Sequence, residues 1–192
     1  MPLGSNKIII IAAPSGSGKT SVVRHLLRAM PDKLAFSISA ATRQPRHHEK
    51  DKVDYYFISA DEFKERIHRN EFVEWEMVYE GKYYGTLKSE LQRIWDEKKS
   101  PLLDVDVQGG LHVQEQFREK SLSIFIEPPS IEELERRLRA RGTETSESIK
   151  ARISKASYEL SFKHEFDRIV INDSLERACK EAEEIVRKFL NI

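Results

Sequence analysis

Apolar residues along this chain follow two periodicities that predict strands alternating with helices. Four runs are almost continuously apolar: Lys7–Ala12, Leu102–Val107, Leu122–Ile126 and Arg168–Ile171. That is the pattern of strands covered on both faces in a parallel sheet. A fifth run, Ala35–Ile38, is weaker. Helical spacing appears over Thr20–Met30, over Ile131–Ala140 with Ile131, Leu134 and Leu138 on one face, and over Leu175–Leu190 with Ala178, Ala182, Ile185 and Phe189 in register. Ser59 with Glu62, Ser130 with Glu133 and Asp173 with Glu176 each set a capping side chain three residues before a carboxylate, which predicts helix starts. The order of elements predicts an α/β fold with an open, mostly parallel sheet flanked by helices.

Two stretches interrupt the alternation. Residues 39–94 are aromatic-rich and dense in turn residues, and residues 137–162 are strongly charged around Gly142-Thr143-Glu144-Thr145. They read either as solvated surface excursions or as a substrate-binding insert and a lid on a core of residues 1–38, 95–136 and 163–192. Charged segments without a core of their own suit ligand-driven closure, and the arginine spacing described below favours the lid.

Composition narrows the function classes. A chain of 192 residues with 39% hydrophobic content supports one compact core. Thirty-two basic and thirty-two acidic residues give zero formal charge, so no overall field collects nucleic acid or an anionic membrane, and any anion must be held locally. The expected assembly is a monomer or homodimer. A single cysteine, Cys179, excludes an intrachain disulfide and argues against a cysteine metal cluster, which fits a reducing compartment. The longest apolar stretch, Ile8 to Ala13, is too short to span a bilayer, and Met1 to Asn6 lacks the basic-then-apolar order of a signal peptide. A cytoplasmic chain is expected. Pro2-Leu3-Gly4-Ser5 reads equally as a native start or a cloning remnant.

The run Ile8–Ala12 leads into Ala13-Pro14-Ser15-Gly16-Ser17-Gly18-Lys19-Thr20 and then a helical segment: strand, glycine loop, helix. Gly16 and Gly18 let successive N–H groups turn inward at phosphate oxygens, and the following helix adds its positive end. Lys19 would bridge the β- and γ-phosphates of a nucleotide, and the Thr20 hydroxyl would take one Mg²⁺ position. Ser21 follows in the same turn. Ala13 stands where the usual G-x-x-x-x-G-K-[ST] pattern begins with glycine. A second carboxylate-bearing strand end, Leu102-Leu103-Asp104-Val105-Asp106, supplies the metal-side acid Asp104, acting through coordinated water. Period-two geometry places Asp104 and Asp106 on one face.

Several linked motifs follow in order. They are Ser37-Ile38-Ser39-Ala40-Ala41-Thr42-Arg43-Gln44-Pro45-Arg46, Asp54-Tyr55-Tyr56-Phe57, Glu71-Phe72-Val73-Glu74-Trp75 and Tyr83-Tyr84-Gly85-Thr86. Beyond them come Leu103–Gly109, Pro128-Pro129-Ser130, Arg141–Thr145 and Val170-Ile171-Asn172-Asp173. With these gaps the chain resembles guanylate kinases over nearly its whole length. The resemblance implies a P-loop core with a GMP-binding insert and a helical lid, and Mg²⁺-dependent transfer of the γ-phosphoryl group of ATP to GMP or dGMP in purine metabolism. It assigns the ATP site to residues 13–21 and Asn172, although for Asn172 a plain helix cap is an equal alternative.

The chemistry of guanine agrees with the positions carried over. Guanine presents N1–H and N2–H₂ donors beside an O6 acceptor, so a reader of it needs a carboxylate and a hydroxyl donor. Glu74 resembles that carboxylate, Ser39 and Thr86 the hydroxyls, and Asp106 an acceptor for the exocyclic amine, with Asp104 on the same side. Arg43 and Arg46, with Tyr55 and Tyr84, would hold the monophosphate. Trp75 and Phe72 are expected to pack beneath the insert. Arg137 and Arg141 sit four apart on the helix before Gly142, and Arg152 follows; by resemblance these are lid arginines that neutralise the transferring phosphoryl group. His47-His48 stand where the family often has Pro-Gly. They lack a third metal ligand at suitable spacing and read as a solvated loop. Two rivals remain: a sister P-loop kinase with another phosphorylated acceptor, and a guanylate-kinase-like interaction module. Retention of Lys19, Thr20, Asp104, Arg43 and the lid arginines argues against the second.

Overall fold

A computed structural model describes residues 6–47, 49–140 and 146–192. Residues 1–5, His48 and the segment 141–145, which includes Arg141, lie outside the described residues. The chain runs β1 (Ile8–Ala12), α1 (Lys19–Ala29), β2 (Leu34–Phe36), β3 (Ser39–Ala41), β4 (Tyr55–Phe57), α2 (Ala60–His68), β5 (Phe72–Tyr79) and β6 (Lys82–Leu87). It continues with α3 (Lys88–Asp96), β7 (Ser100–Val105), α4 (Val107–Phe117), β8 (Ser121–Glu127), α5 (Ile131–Ala140), α6 (Ser146–Leu160), β9 (Arg168–Ile171) and α7 (Leu175–Leu190).

The main sheet has the order β2-β7-β1-β8-β9, with every neighbouring pair parallel. All five residues of β1 are fully buried. Alternation divides them: Ile9 and Ile11 pack with α1 and α7, while Ile8 and Ile10 pack with Leu91 of α3 and Val113 of α4. Each of these isoleucines contributes about 2 kcal/mol by leaving water. The apolar run that predicts a doubly covered strand therefore sits at the centre of the sheet.

A second sheet, β4-β3-β6-β5, is mixed, with β3 and β4 parallel and the other pairs antiparallel. Residues 39–94 do have an apolar centre, contrary to the expectation of a segment without its own core. Ala40, Phe63, Phe72 and Leu87 pack together, and the Phe63 and Phe72 rings stack at 4.4 Å. Phe72 is thus buried as expected, whereas Trp75 is 41% exposed and does not pack underneath. The charged segment is likewise anchored: Ile149 and Ala156 of α6 pack on Leu134 and Leu138 of α5.

Helix starts follow the capping logic at two of three predicted places. Ser59 accepts from the Glu62 N–H, and Ser130 from the Glu133 N–H, both at 3.1 Å. At the third, Ser174 and not Asp173 is the N-cap of α7; the Asp173 carboxylate accepts from the Ser174 N–H at 2.6 Å. Asp106 also departs from expectation. β7 ends at Val105, and Asp106 caps α4 by accepting from the Gly109 N–H at 2.8 Å. Among the described residues, no helix is long and apolar enough to cross a membrane.

Candidate functional site

The site lies where the parallel strands β1, β7 and β9 end, the usual place for a ligand in an open α/β sheet. Between β1 and α1, Gly16 and Gly18 have φ of 96° and 92°, conformations that L side chains adopt only under strain. Gly16 is also tight against α5: a Cβ there would meet Leu134 Cδ1 at 2.9 Å. Ala13 needs no such freedom, since its φ is not positive, and the missing first glycine leaves the loop intact. No side chain caps the start of α1, so its first N–H groups are left to an anion.

Lys19 lies 2.5 Å from Asp104 Oδ1 and donates to the Val105 carbonyl at 2.6 Å. Burial works against its charge, but the Asp104 carboxylate more than compensates and holds the Lys19 pKa above its ordinary value. Asn172 is 4% exposed, and its Nδ2 donates to the Ser17 carbonyl at 2.7 Å. It is therefore not the cap of α7; it lies against the glycine loop, so close that a Cβ on Gly18 would come within 2.1 Å of it.

One cleft of about 330 Å³ connects this loop to the second sheet. At its far end stands Glu74 on β5, opposite Thr86 on β6. The Thr86 hydroxyl donates to Glu74 Oε1 at 2.6 Å, and the carboxylate is 8% exposed. Burial pushes the Glu74 pKa up to about 7; the Thr86 bond lowers it, and the neighbouring Asp106 carboxylate raises it further. Gly109 makes the room, since a Cβ there would lie 2.8 Å from Glu74 Oε2. Ser39, Asp104 and Asp106 join the same wall.

Tyr55 and Tyr84 also line the cleft, whereas Arg43 and Arg46 do not contribute to its wall. Arg43 donates through Nε to the Tyr84 hydroxyl at 3.1 Å and makes a two-pronged pair with Glu49, at 2.5 and 2.7 Å. The Arg46 side chain is 63% exposed, 3.9 Å from Glu49.

From α6, Arg152 reaches the glycine loop, with Nη1 2.7 Å from Ser15 Oγ. Arg137 donates to Glu133 at 2.8 Å and to the Asn172 carbonyl at 3.0 Å, away from the cleft wall. Sequence reasoning missed Lys155 and Glu159, which line the cleft from the same helix. Lys155 Nζ lies 4.0 Å from Asp106 and 3.6 Å from Glu159. Their spacing from Arg152, three and seven residues, places all three on one helical face and was a usable signal. Glu49 and Gly109 were missed as well.

The guanylate kinase family model matches residues 5–189. A guanylate kinase of Bacteroides fragilis is 49% identical over 189 residues, covering 98% of this chain and 92% of that protein. One from Thermotoga maritima is 41% identical over 181 residues, covering 94% and 86%. The crystal structure of guanylate kinase from Anaplasma phagocytophilum superposes with a TM-score of 0.75 at 30% identity, over 95% of this chain and 85% of that one. A glycine loop with its lysine, joined by one cleft to a buried carboxylate that a threonine hydroxyl supports, is what such kinships would require, and the chain belongs to the guanylate kinase family, whose enzymes phosphorylate GMP with ATP.

Proposed function

We propose that ATP occupies residues 13–21 and that GMP, or dGMP, lies across the second sheet with its base at Glu74. The observation that carries this is the shared cleft: the Lys19 ammonium and the Glu74 carboxylate both line it, so a base at Glu74 would let the GMP phosphate reach toward a triphosphate held at Lys19, where its oxygen could displace ADP in line. At the base, Glu74 in its ionised form accepts from N1–H and N2–H₂; Ser39 offers a hydroxyl to O6, and Thr86, whose O–H is donated to Glu74, does so only by turning from the carboxylate. Adenine would present an acceptor at N1 to that carboxylate, and a buried unpaired charge rejects it. Residues 39–94 act as the acceptor-binding insert and residues 137–162 as the lid, on a core of the remaining chain.

Thr20 and Asp104 both face the cleft and offer hard oxygen donors, which suits Mg²⁺. When bound, the ion neutralises charge on the phosphate oxygens. The chain's own residues do the rest. Lys19 holds the transferring phosphoryl group, Arg152 is already at the loop, and Arg137 and Arg141 complete the cationic surround on closure. No protein nucleophile is required, because the acceptor phosphate is itself anionic near neutral pH. A cytoplasmic location agrees with the one cysteine, buried in α7.

The test is ADP production with saturating ATP and Mg²⁺ across GMP, dGMP, AMP, UMP, dTMP and phosphosugars. GMP turnover at least about 100-fold above AMP is expected from the hydrogen-bond argument. Equal use of AMP would overturn the base assignment, and no turnover with any acceptor would leave a binding module.

A further inference from the structure

Arg43 is held by more partners than a phosphate-binding arginine needs. Its Nη1 and Nη2 meet Glu49 Oε2 and Oε1 at 2.5 and 2.7 Å, Nη1 also donates to the Gln44 carbonyl at 3.0 Å, and Nε donates to the Tyr84 hydroxyl at 3.1 Å. A guanidinium has five N–H groups. Four are engaged in these bonds, and among the described residues only one, on Nη2, is left for a ligand. The rings of Tyr55 and Phe57, with centroids 5.0 and 5.5 Å from the guanidinium carbon, cover its face.

Glu49 is itself fixed. Its side chain is 8% exposed, its Oε2 accepts from the Arg46 N–H at 2.8 Å, and its own N–H donates to the Arg46 carbonyl at 2.9 Å. Displacing Arg43 from this carboxylate would leave a largely buried charge with only the Arg46 N–H and a guanidinium 3.9 Å away, which is more costly than sharing the arginine. The arginine holds the Glu49 carboxyl down at about 2, so the pair persists across the neutral range.

We propose that Glu49 is a positioning residue for the acceptor phosphate: it fixes the Arg43 fork so that a single N–H, beside the Tyr84 and Tyr55 hydroxyls, is presented to GMP. The forked grip on the phosphate then falls to the exposed Arg46, whose donors are not consumed in this way. This rests on the assignment of Arg43 to the acceptor phosphate and names the group that makes the assignment work.

The test is steady-state kinetics of wild type, Arg43→Met, Glu49→Gln and the double variant, each well below its thermal midpoint. Glu49→Gln keeps the shape but turns an amide N–H₂ toward one arm of the fork. The expected result is a rise of about 10-fold in KM for GMP with KM for ATP unchanged, the size of one charged hydrogen-bond pair. The double variant should fall well short of the sum of the two single losses, because the side-chain fork Glu49 fixes is that of Arg43, while of Arg46 it holds chiefly the backbone N–H. An unchanged or lowered KM for GMP in Glu49→Gln, or additive losses in the double variant, would overturn the proposal. If Arg43→Met itself leaves KM for GMP unchanged, the assignment of Arg43 fails instead.

Discussion

Glu74 is a carboxyl group whose burial beside Thr86 ties the proposed base recognition to the stability of the fold. Its pKa of about 7, against an ordinary 4.5, means the folded chain keeps a proton that the unfolded chain releases between those values. That stabilisation is fully present below about pH 4.5 and is lost as pH rises through about 7. Glu74→Gln should therefore gain about 1–3 kcal/mol over wild type at pH 8 and nothing at pH 4, read by denaturant unfolding. Its KM for GMP should rise about 100-fold or more and lose the improvement that wild type shows as pH rises through about 7, when the carboxylate forms. Lys19→Met separates the other half of the cleft. We expect turnover about 100-fold lower or less with GMP affinity, measured by calorimetry, near its original value. That Lys19, Glu74 and Thr86 would gather at one cleft was legible because each sits in a motif whose chemistry dictates its residue type. Glu49 was not, since a carboxylate in a charged loop reads as solvated until its partner's place is known.

At the level of elements, the buried strands could be read from periodicity and the cap at Ser130 from its spacing to Glu133, but α4 could not be read. Its Gly109 and Gly110 each weaken a helix by about 1 kcal/mol relative to alanine, and they hid it. The structure gives the reason for both. A Cβ on Gly109 would strike Glu74 Oε2 at 2.8 Å, and one on Gly110 would come within 3.2 Å of the Ala12 Cβ. Gly109→Ala should consequently push the Glu74 carboxylate off Thr86, raising KM for GMP about 10-fold while leaving KM for ATP and the unfolding midpoint near wild type. A general fall in stability with both KM values rising alike would show that the helix, and not the carboxylate, had moved. The strands β3 to β6 were likewise obscured: β3 and β4 are three residues each, β3 pairs with the distant β6, and charges interrupt the apolar alternation of the β5–β6 hairpin.

Across the whole molecule, the glycine loop and the far wall of the cleft are tied together by contacts that no local pattern displays. Helix α6 touches the glycine loop through Arg152 and the far wall through Lys155, and the end of β9 supports the loop from beneath. Asn172→Ala would leave the buried Ser17 carbonyl without its donor. The expected loss is about 1–3 kcal/mol in unfolding free energy, with KM for ATP raised and KM for GMP unchanged. These contacts join positions 49 to 155 residues apart, and no composition shift or local periodicity along the chain announces them.

The bond from Asn172 to Ser17 spans 155 residues, from the position just past β9 back to the loop between β1 and α1. Ribosomal synthesis presents the glycine loop 155 residues before the amide that meets it, so until Asn172 has been added the Ser17 carbonyl lacks this donor and the loop is less firmly held.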